Sequence, residues 1–187
     1  MARVHLDVKF PFEKTPKTVI RFSKKSNRKE VCDQLIEQLN DPTLQNSEVI
    51  VCQNNGVKVW MKQNSTLKSL GVESDMTLLI FRNPIRYNFE YNSKGYETSF
   101  SPKQTISQIV GNVAERASVL YYLGYSLIPI SQGKPTPVNE DMLLCDQAQQ
   151  FDKILFRIKY YTVLPGDTEQ GVPLSRTYSL TRDYLLT

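Results

Sequence analysis

The sequence predicts an α+β chain that contains two consecutive copies of one small module, each a mixed sheet crossed by one helix. Two observations support this prediction. The same order of strand-like and helix-like patterns occurs twice, and each copy closes on nearly the same string, Leu79-Ile80-Phe81-Arg82 and Ile154-Leu155-Phe156-Arg157. A third observation places the seam at Asn83-Pro84, because proline has no N–H to donate and restricts the residue before it.

The first copy begins with a predicted hairpin and continues with a helix. Residues 4–10 and 17–22 alternate apolar and polar side chains, which is typical of half-buried strands. A helix capped by Ser26 or Asn27 follows and stops at Asp41-Pro42. Its apolar face is predicted to consist of Val31, Leu35, Ile36 and Leu39. Three further strands are predicted at 49–52, 57–61 and 76–81, with a turn at Asn54-Asn55-Gly56.

The second copy repeats this order. Strands are predicted at 85–91, 96–100, 125–130 and 154–161, and a helix begins near Thr105. The apolar positions of that helix have helical spacing and are Ile106, Ile109, Val110 and Val113. The predicted organisation is therefore a first module at 1–82, a second module at 84–161, and a linker with the start of a helical lobe or a tail at 162–187.

Composition indicates an intracellular globular chain. Of its 187 residues, 40% are hydrophobic, which is enough for a sizeable core. No apolar run is long enough for a transmembrane helix, and the first residues lack the apolar stretch of a secretory signal. Cys32, Cys52 and Cys145 are odd in number and lack metal-site spacing, so they are interpreted as buried small apolar residues.

Signatures of catalysis are scarce. No phosphate-binding glycine loop, zinc-protease helix or nucleophile elbow is present. The single histidine, His5, falls in the first predicted strand and is interpreted as a strand residue. Glu140, Asp141 and Asp146 are interpreted as loop-solvating acids rather than metal ligands. We therefore expect no enzymatic activity, no metal and no cofactor.

Positive charge is concentrated near the start of the chain. Between Lys9 and Lys29 there are eight basic residues and one acidic residue, Glu13. Alternation along the second predicted strand places Lys17, Val19 and Arg21 on one face. Arg28 and Lys29 fall at the helix N-terminus, where positive charge opposes the helix dipole, so a partner that brings negative charge would offset the cost. An acidic protein, a lipid headgroup and a nucleic acid all remain open as partners.

Several strings, in this order, resemble the first two ubiquitin-like lobes of FERM heads, and the talin-type head in particular. The strings are Lys17-Thr18-Val19, the helix with Val31-Cys32, Gly71 to Leu79, Tyr125-Ser126-Leu127, Arg157 to Tyr161, and Tyr178 to Leu186. The resemblance covers nearly all of the chain. It implies two tandem ubiquitin-like β-grasp modules of a cytoskeletal adaptor for cell adhesion.

The resemblance also implies a partner. In such heads a Ras-associating first lobe binds a Ras-family or Rap-family small GTPase through an edge strand and basic residues. Carried over to this chain, Lys17 matches the strand lysine of that pattern. The full implied GTPase-binding set is Lys17, Arg21, Lys24, Lys25, Arg28 and Lys29. The chain departs from the pattern at Asp33 and Gln38, where the family has further basic residues.

The resemblance extends to location and to what lies beyond the chain. It implies a cytoplasmic protein at the cytoskeleton and the inner face of the plasma membrane, with contact to actin through other parts of the protein. Acidic membrane lipids are a second class of partner, although the long basic loop of the talin-type second lobe is absent and residues 131–139 carry only Lys134 as a charge. Since the sequence stops at Thr187, where a helical lobe would begin, we expect a fragment of a larger protein.

Three alternative functions were weighed against the adaptor. A ubiquitin-like modifier is disfavoured because the last residues, Tyr184 to Thr187, contain no Gly-Gly. Nucleic-acid binding is disfavoured because Phe22 is predicted to face the core rather than to stack on bases. A purely structural ubiquitin-like tandem remains open.

Overall fold

The computed structural model describes residues 2–120, 122, 124–136, 138–147, 152–158, 160–163 and 176–179. The chain divides into two compact units. The first comprises Met1–Arg86, Ser99–Gln104 and Leu143–Phe151, and the second comprises Tyr87–Thr98, Thr105–Met142 and Asp152–Thr187. The first unit thus includes two short segments from the second half of the sequence.

The first unit contains a mixed five-stranded sheet. Its strands are β1 (Arg3–Lys9), β2 (Thr18–Ser23), β3 (Glu48–Cys52), β4 (Lys58–Trp60) and β5 (Thr77–Phe81). The strand order is β2-β1-β5-β3-β4. The central pair β1 and β5 is parallel, and the other pairs are antiparallel. Strand β2 therefore lies at one edge of this sheet.

Helix α1 (Arg28–Leu39) covers one face of the sheet. Asn27 is its N-cap and forms a capping box with Glu30, which satisfies backbone N–H groups that the helix itself leaves unpaired. Val31, Cys32 and Leu35 are buried against strand residues such as Leu6 and Phe22. The predicted cap and apolar face are confirmed, with Ile36 and Leu39 partly buried at the margin of the core.

Short connections complete the first unit. Residues Pro42–Asn46 form a 3-10 helix that the sequence analysis missed, and its N-cap Asp41 accepts a hydrogen bond from the Thr43 backbone N–H. The predicted turn at Asn54-Asn55-Gly56 is present between β3 and β4. Gly56 has a φ of 82°, a conformation in which a side chain would be strained.

The outer face of the first sheet, opposite α1, is also partly covered. Ile50, Leu79 and Phe81 are buried although they do not belong to the core under the helix. Phe12 lies with its ring centroid 6.0 Å from that of Phe81. Trp60 stacks on the same Phe81 ring at 6.1 Å. A second apolar layer thus covers part of this face.

The second half of the chain forms a second mixed five-stranded sheet. Its strands are β6 (Ile85–Tyr91), β7 (Lys94–Phe100), β8 (Tyr125–Ser131), β9 (Lys134–Pro135) and β10 (Lys153–Ile158). The strand order is β7-β6-β10-β8-β9. Strands β6 and β10 are parallel, and β8 pairs antiparallel with β10 and with β9. The order is the same as in the first sheet.

Helix α2 (Ile106–Arg116) is the counterpart of α1. Thr105 is its N-cap and forms a capping box with Gln108. All four predicted apolar positions are buried, as is Ala114. One further turn of helix, α3 (Leu144–Gln147), was not predicted and belongs to the first unit.

The predicted α+β class with two mixed sheets is confirmed, whereas the end of the chain differs from the prediction. The break between two strands that was predicted at Asn83-Pro84 is present, since β5 ends at Phe81 and β6 begins at Ile85, with a cis bond at Asn83-Pro84. The two compact units divide after Arg86, two residues beyond that break. Of the strand predicted at 154–161, residues 154–158 belong to β10 and residues 160 and 161 to β11 (Tyr160–Val163), while residue 159 lies outside the described residues. Strand β11 pairs with β12 (Arg176–Ser179), a pairing that was not predicted. Residues 164–175 and 180–187, where a linker and the start of a helical lobe were predicted, lie outside the described residues.

Candidate functional site

The edge strand β2 carries the first two predicted site residues on its solvent-facing side. Lys17, Val19 and Arg21 are exposed, and 60% of the Val19 surface is accessible to solvent. The alternate residues Ile20 and Phe22 are buried under α1. We call Lys17, Val19 and Arg21 the edge face. The predicted alternation is confirmed, and it follows from the period of two in a strand.

The two cations of the edge face differ in their surroundings. The Lys17 ammonium forms an ion pair with the Asp7 carboxylate of the neighbouring strand β1. Arg21 lies opposite His5 in the register of β1 and β2, and it has no acidic partner among the described residues. Its positive charge is therefore available to a partner, whereas that of Lys17 is partly compensated.

Lys24 and Lys25 occupy the turn after β2. The Lys24 ammonium donates to the Glu73 carboxylate at 2.7 Å and is about three-quarters buried. Lys25 is exposed, and within the described part of the chain no carboxylate pairs with it. This turn thus adds one uncompensated cation next to the edge face.

Arg28 and Lys29, in the first turn of α1, are compensated from within the chain. The Arg28 guanidinium lies 2.5 Å from the carboxylate of Glu48, a residue that is only 7% exposed. The Lys29 ammonium lies 2.6 Å from Asp33. Its hydrogen bond with Asp33 raises the Lys29 pKa. Glu48 and Asp33 thus offset, from within the chain, the cost for which the sequence analysis suggested a partner's negative charge.

The structure does not bring all six predicted residues into one patch. Glu48, the ion-pair partner of Arg28, is the first residue of β3. In the sheet, β3 is the third strand counted outward from β2. At the usual strand spacing this corresponds to about 14 Å. Lys17 and Arg21 lie on the face of β2 opposite the helix. The site that the geometry favours is smaller than predicted and consists of the edge face with Lys25.

A charged network around Arg82 was not predicted. The Arg82 guanidinium donates to both carboxylate oxygens of Glu13, at 2.6 and 3.1 Å, and lies 2.7 Å from an oxygen of Asp41. It also contacts the Thr43 hydroxyl and lies 5.9 Å from the Phe10 ring centroid. These hydrogen bonds raise the Arg82 pKa, and the bond from Arg82 lowers the pKa of Asp41 to about 2. We call Arg82, Glu13 and Asp41 the Arg82 network.

The three acidic residues that were interpreted as loop-solvating groups lie in different environments. Asp146 lies in α3, and its Oδ1 accepts a hydrogen bond from Trp60 Nε1 at 2.6 Å, so its interpretation as a loop acid is wrong. The backbone carbonyl of Glu140 accepts from the Ser107 hydroxyl at 3.1 Å. Asp141 is exposed. The part of the chain that the structure describes contains no group of three His, Cys, Asp or Glu side chains arranged for a metal ion.

The histidine and the cysteines show no arrangement for nucleophilic chemistry. His5 is exposed on β1, and its backbone N–H donates to the Ser74 hydroxyl at 3.4 Å. Cys32 and Cys145 are buried, whereas Cys52 is half-buried, so the predicted burial holds fully for two of the three. Burial raises the pKa of all three thiols, that of Cys32 to about 11. Their thiolate forms are therefore suppressed near neutral pH.

Among the described residues, no helix combines the length and apolar composition that crossing a bilayer requires. Comparison with models of known protein families finds none that matches this chain. No curated protein is significantly similar to it.

Proposed function

We propose that the chain is a non-enzymatic adaptor module whose edge face binds an acidic edge strand of a Ras-family or Rap-family small GTPase. One observation carries the proposal. Strand β2 is an edge strand that carries Arg21 and the exposed Val19 on one side, and Lys17 directly precedes it. A partner strand can add to such an edge through main-chain hydrogen bonds, and the alternate side chains then give specificity.

The sheet arrangement supports a finer interpretation of the fold, as two ubiquitin-like β-grasp modules of a FERM-type, talin-like head. Each sheet has the order second-first-fifth-third-fourth strand in its own half of the chain, with a parallel central pair. A single long helix follows the first hairpin in each half. This arrangement is the one that the proposed β-grasp requires, and it places the second strand at the edge in both halves.

Charge supports the choice of partner. Arg21 and Lys25 are uncompensated within the described residues, so an acidic surface would be attracted without first displacing an internal carboxylate. Such pairing increases the association rate and makes binding sensitive to salt. The proposed location, the cytoplasmic face of the plasma membrane and the cytoskeleton, follows from this proposed partner.

The test is an NMR titration of the full chain with a Rap-type GTPase loaded with a GTP analogue and then with GDP. We expect saturable binding to the GTP-analogue form, with chemical-shift changes centred on residues 17–21. Arg21→Glu is the sharpest variant because Arg21 has no acidic partner in the part of the chain that the structure describes. It should weaken binding by about tenfold or more, since it replaces an attraction with a repulsion.

Three further variants complete the design. Lys17→Glu should also weaken binding, but it places a second carboxylate beside Asp7, so Lys17→Gln is measured with it. Lys94→Glu is the matched control, since Lys94 is an exposed lysine on β7, the edge strand of the second sheet. Equal losses for Arg21→Glu and Lys94→Glu, or no binding in either nucleotide state, would refute the proposal. Binding to acidic vesicles or to nucleic acid at physiological salt, without GTPase binding, would assign the edge face to those partners instead.

A further inference from the structure

A cavity lies on the outer face of the first sheet, away from α1. Its volume is about 470 Å³, and the end of β1, the loop that leads into β2, and residues of β3 to β5 surround it. Cavities of this size are typical of small-molecule sites. The wall includes Phe10, Pro11 and Leu79, with Thr77 and Cys52 beside them. The cavity wall thus combines apolar side chains with hydroxyl groups such as that of Thr77.

The lining is also positively charged. Lys9, Lys17 and Lys58 all line the cavity, and no carboxylate is part of that lining. Lys9 is exposed and has no acidic partner among the described residues. The Lys58 ammonium donates to the backbone carbonyl of Asp146 at 2.8 Å. Lys17 is paired with Asp7. The least compensated charge at the cavity therefore belongs to Lys9.

The half-buried thiol of Cys52 lies at the cavity wall. Burial raises its pKa, but the charges of Lys58 and Lys9 act in the opposite direction and favour the thiolate. Both ammonium groups thus act on this wall, although the effect of burial on the thiol is larger. The register supports this placement, because Lys9 is the partner of Leu79, and Cys52 is the partner of Lys58 and of Thr77.

We propose that this cavity binds a small organic carboxylate with an apolar body. Lys9 and Lys58 hold the carboxylate, and the body lies against Phe10 and Leu79. A phosphate group fits the lining less well, because no arginine fork and no helix N-terminus line the cavity. A sugar fits less well because it has no negative charge to pair with the lysine ammonium groups of the lining. The cavity lining and the edge face share one residue, Lys17. Carboxylate binding in the cavity does not depend on the proposed GTPase binding.

The test uses octanoate as the probe and the full chain alone, so its outcome is independent of any GTPase. We expect saturable chemical-shift changes at residues 9, 52, 77 and 79. Octanamide, which has the same chain length and no charge, should bind about tenfold more weakly because it lacks the ionic contact. Octanoate should also slow the alkylation of Cys52 by iodoacetamide, because Cys52 lines the cavity whereas Cys32 and Cys145 are buried.

Variants make the test specific. Lys9→Met keeps much of the apolar stem and removes the charge, so it should weaken octanoate binding about fivefold or more while leaving octanamide unchanged. Cys52→Met extends the wall into the cavity without altering a charge, and it should weaken both ligands. Lys62→Met is the control, since Lys62 is exposed and does not line the cavity. Equal affinity for octanoate and octanamide, an unchanged affinity in Lys9→Met, or shifts centred away from β1 and β5 would overturn the proposal.

Discussion

Arg82 and Arg21 carry the same charge in the same unit, but their surroundings differ. Arg82 contacts two carboxylates, a hydroxyl and an aromatic ring, and about a quarter of its side chain remains exposed. Arg21 is exposed on an edge strand and has no acidic partner among the described residues. A basic residue in the sequence therefore indicates a partner only when the fold leaves its charge unpaired. The Arg82 network stabilises the unit, whereas the edge face can bind something else.

The largest expected effect comes from removing the centre of the Arg82 network. Arg82→Met leaves Glu13 and Asp41 close together without their cation, so the free energy of unfolding should fall by about 2–3 kcal/mol. Urea denaturation of the variant and of the parent chain measures this. Arg86→Met is the control because Arg86 is exposed and unpaired within the described residues, and its effect should stay within about 0.5 kcal/mol. Equal effects of the two variants would remove the contrast on which the comparison depends.

A smaller effect is expected at low pH. The folded-state pKa of Asp41 is about 2, below its ordinary value of 3.8, so folding favours the charged form. Its contribution to stability is therefore fully present above the ordinary pKa and is lost as the pH falls through about 2. Because 29% of the Asp41 side chain is exposed, solvent screening reduces this contribution. We expect Asp41→Asn to lower the free energy of unfolding by about 1 kcal/mol at neutral pH, and by progressively less below pH 4.

Urea denaturation at a series of pH values tests the Asp41 prediction. Asp75→Asn is a suitable control, because Asp75 is exposed, has no ion pair in the described structure, and has a φ of 72° that asparagine tolerates well. Its difference from the parent chain shows the effect of replacing an exposed aspartate that has no ion pair among the described residues. A difference for Asp41→Asn that stays the same between neutral pH and pH 2 would mean that Arg82 does not stabilise the Asp41 carboxylate.

The smallest effect on stability is expected at the edge face. Arg21→Glu should change the free energy of unfolding by less than about 0.5 kcal/mol, because it breaks no internal ion pair. The hydrogen bond from the Gln34 side chain to the Arg21 backbone carbonyl, at 2.6 Å, does not depend on the substituted side chain. Urea denaturation measures the change. A loss comparable with that of Arg82→Met would show that Arg21 is a structural residue, and a loss of GTPase binding in that variant could then reflect unfolding.

Local features of the fold could be predicted from the sequence. Asn27 and Thr105 each cap a helix, and their capping partners lie three residues away, so short-range chemistry determines both starts. Alternation along β2 similarly predicted that Val19 is exposed and Phe22 is buried. These features depend on the helical and strand periods, which can be counted in the sequence.

Contacts between distant residues could not be predicted in this way. Glu13 and Asp41 meet Arg82 because three separate connections end near one another, and no local pattern records that meeting. The same holds for Asp146 with Trp60 and for Glu73 with Lys24. The sequence therefore did not show which of the six basic residues are paired within the chain. Arg28 and Lys29 have acidic partners, and the partner of Arg28 is remote in the sequence.

The exposed edge of β2 has a consequence for the behaviour of the chain in concentrated solution. A strand with one open edge and an exposed valine can pair with the same strand of another copy, and such pairing often starts aggregation. Lys17 and Arg21 flank Val19 on that strand, so two copies that approach through it bring like charges together. The cations that attract an acidic partner thus also keep identical molecules apart. Neutralising both residues is therefore expected to reduce colloidal stability even where folding stability is unchanged.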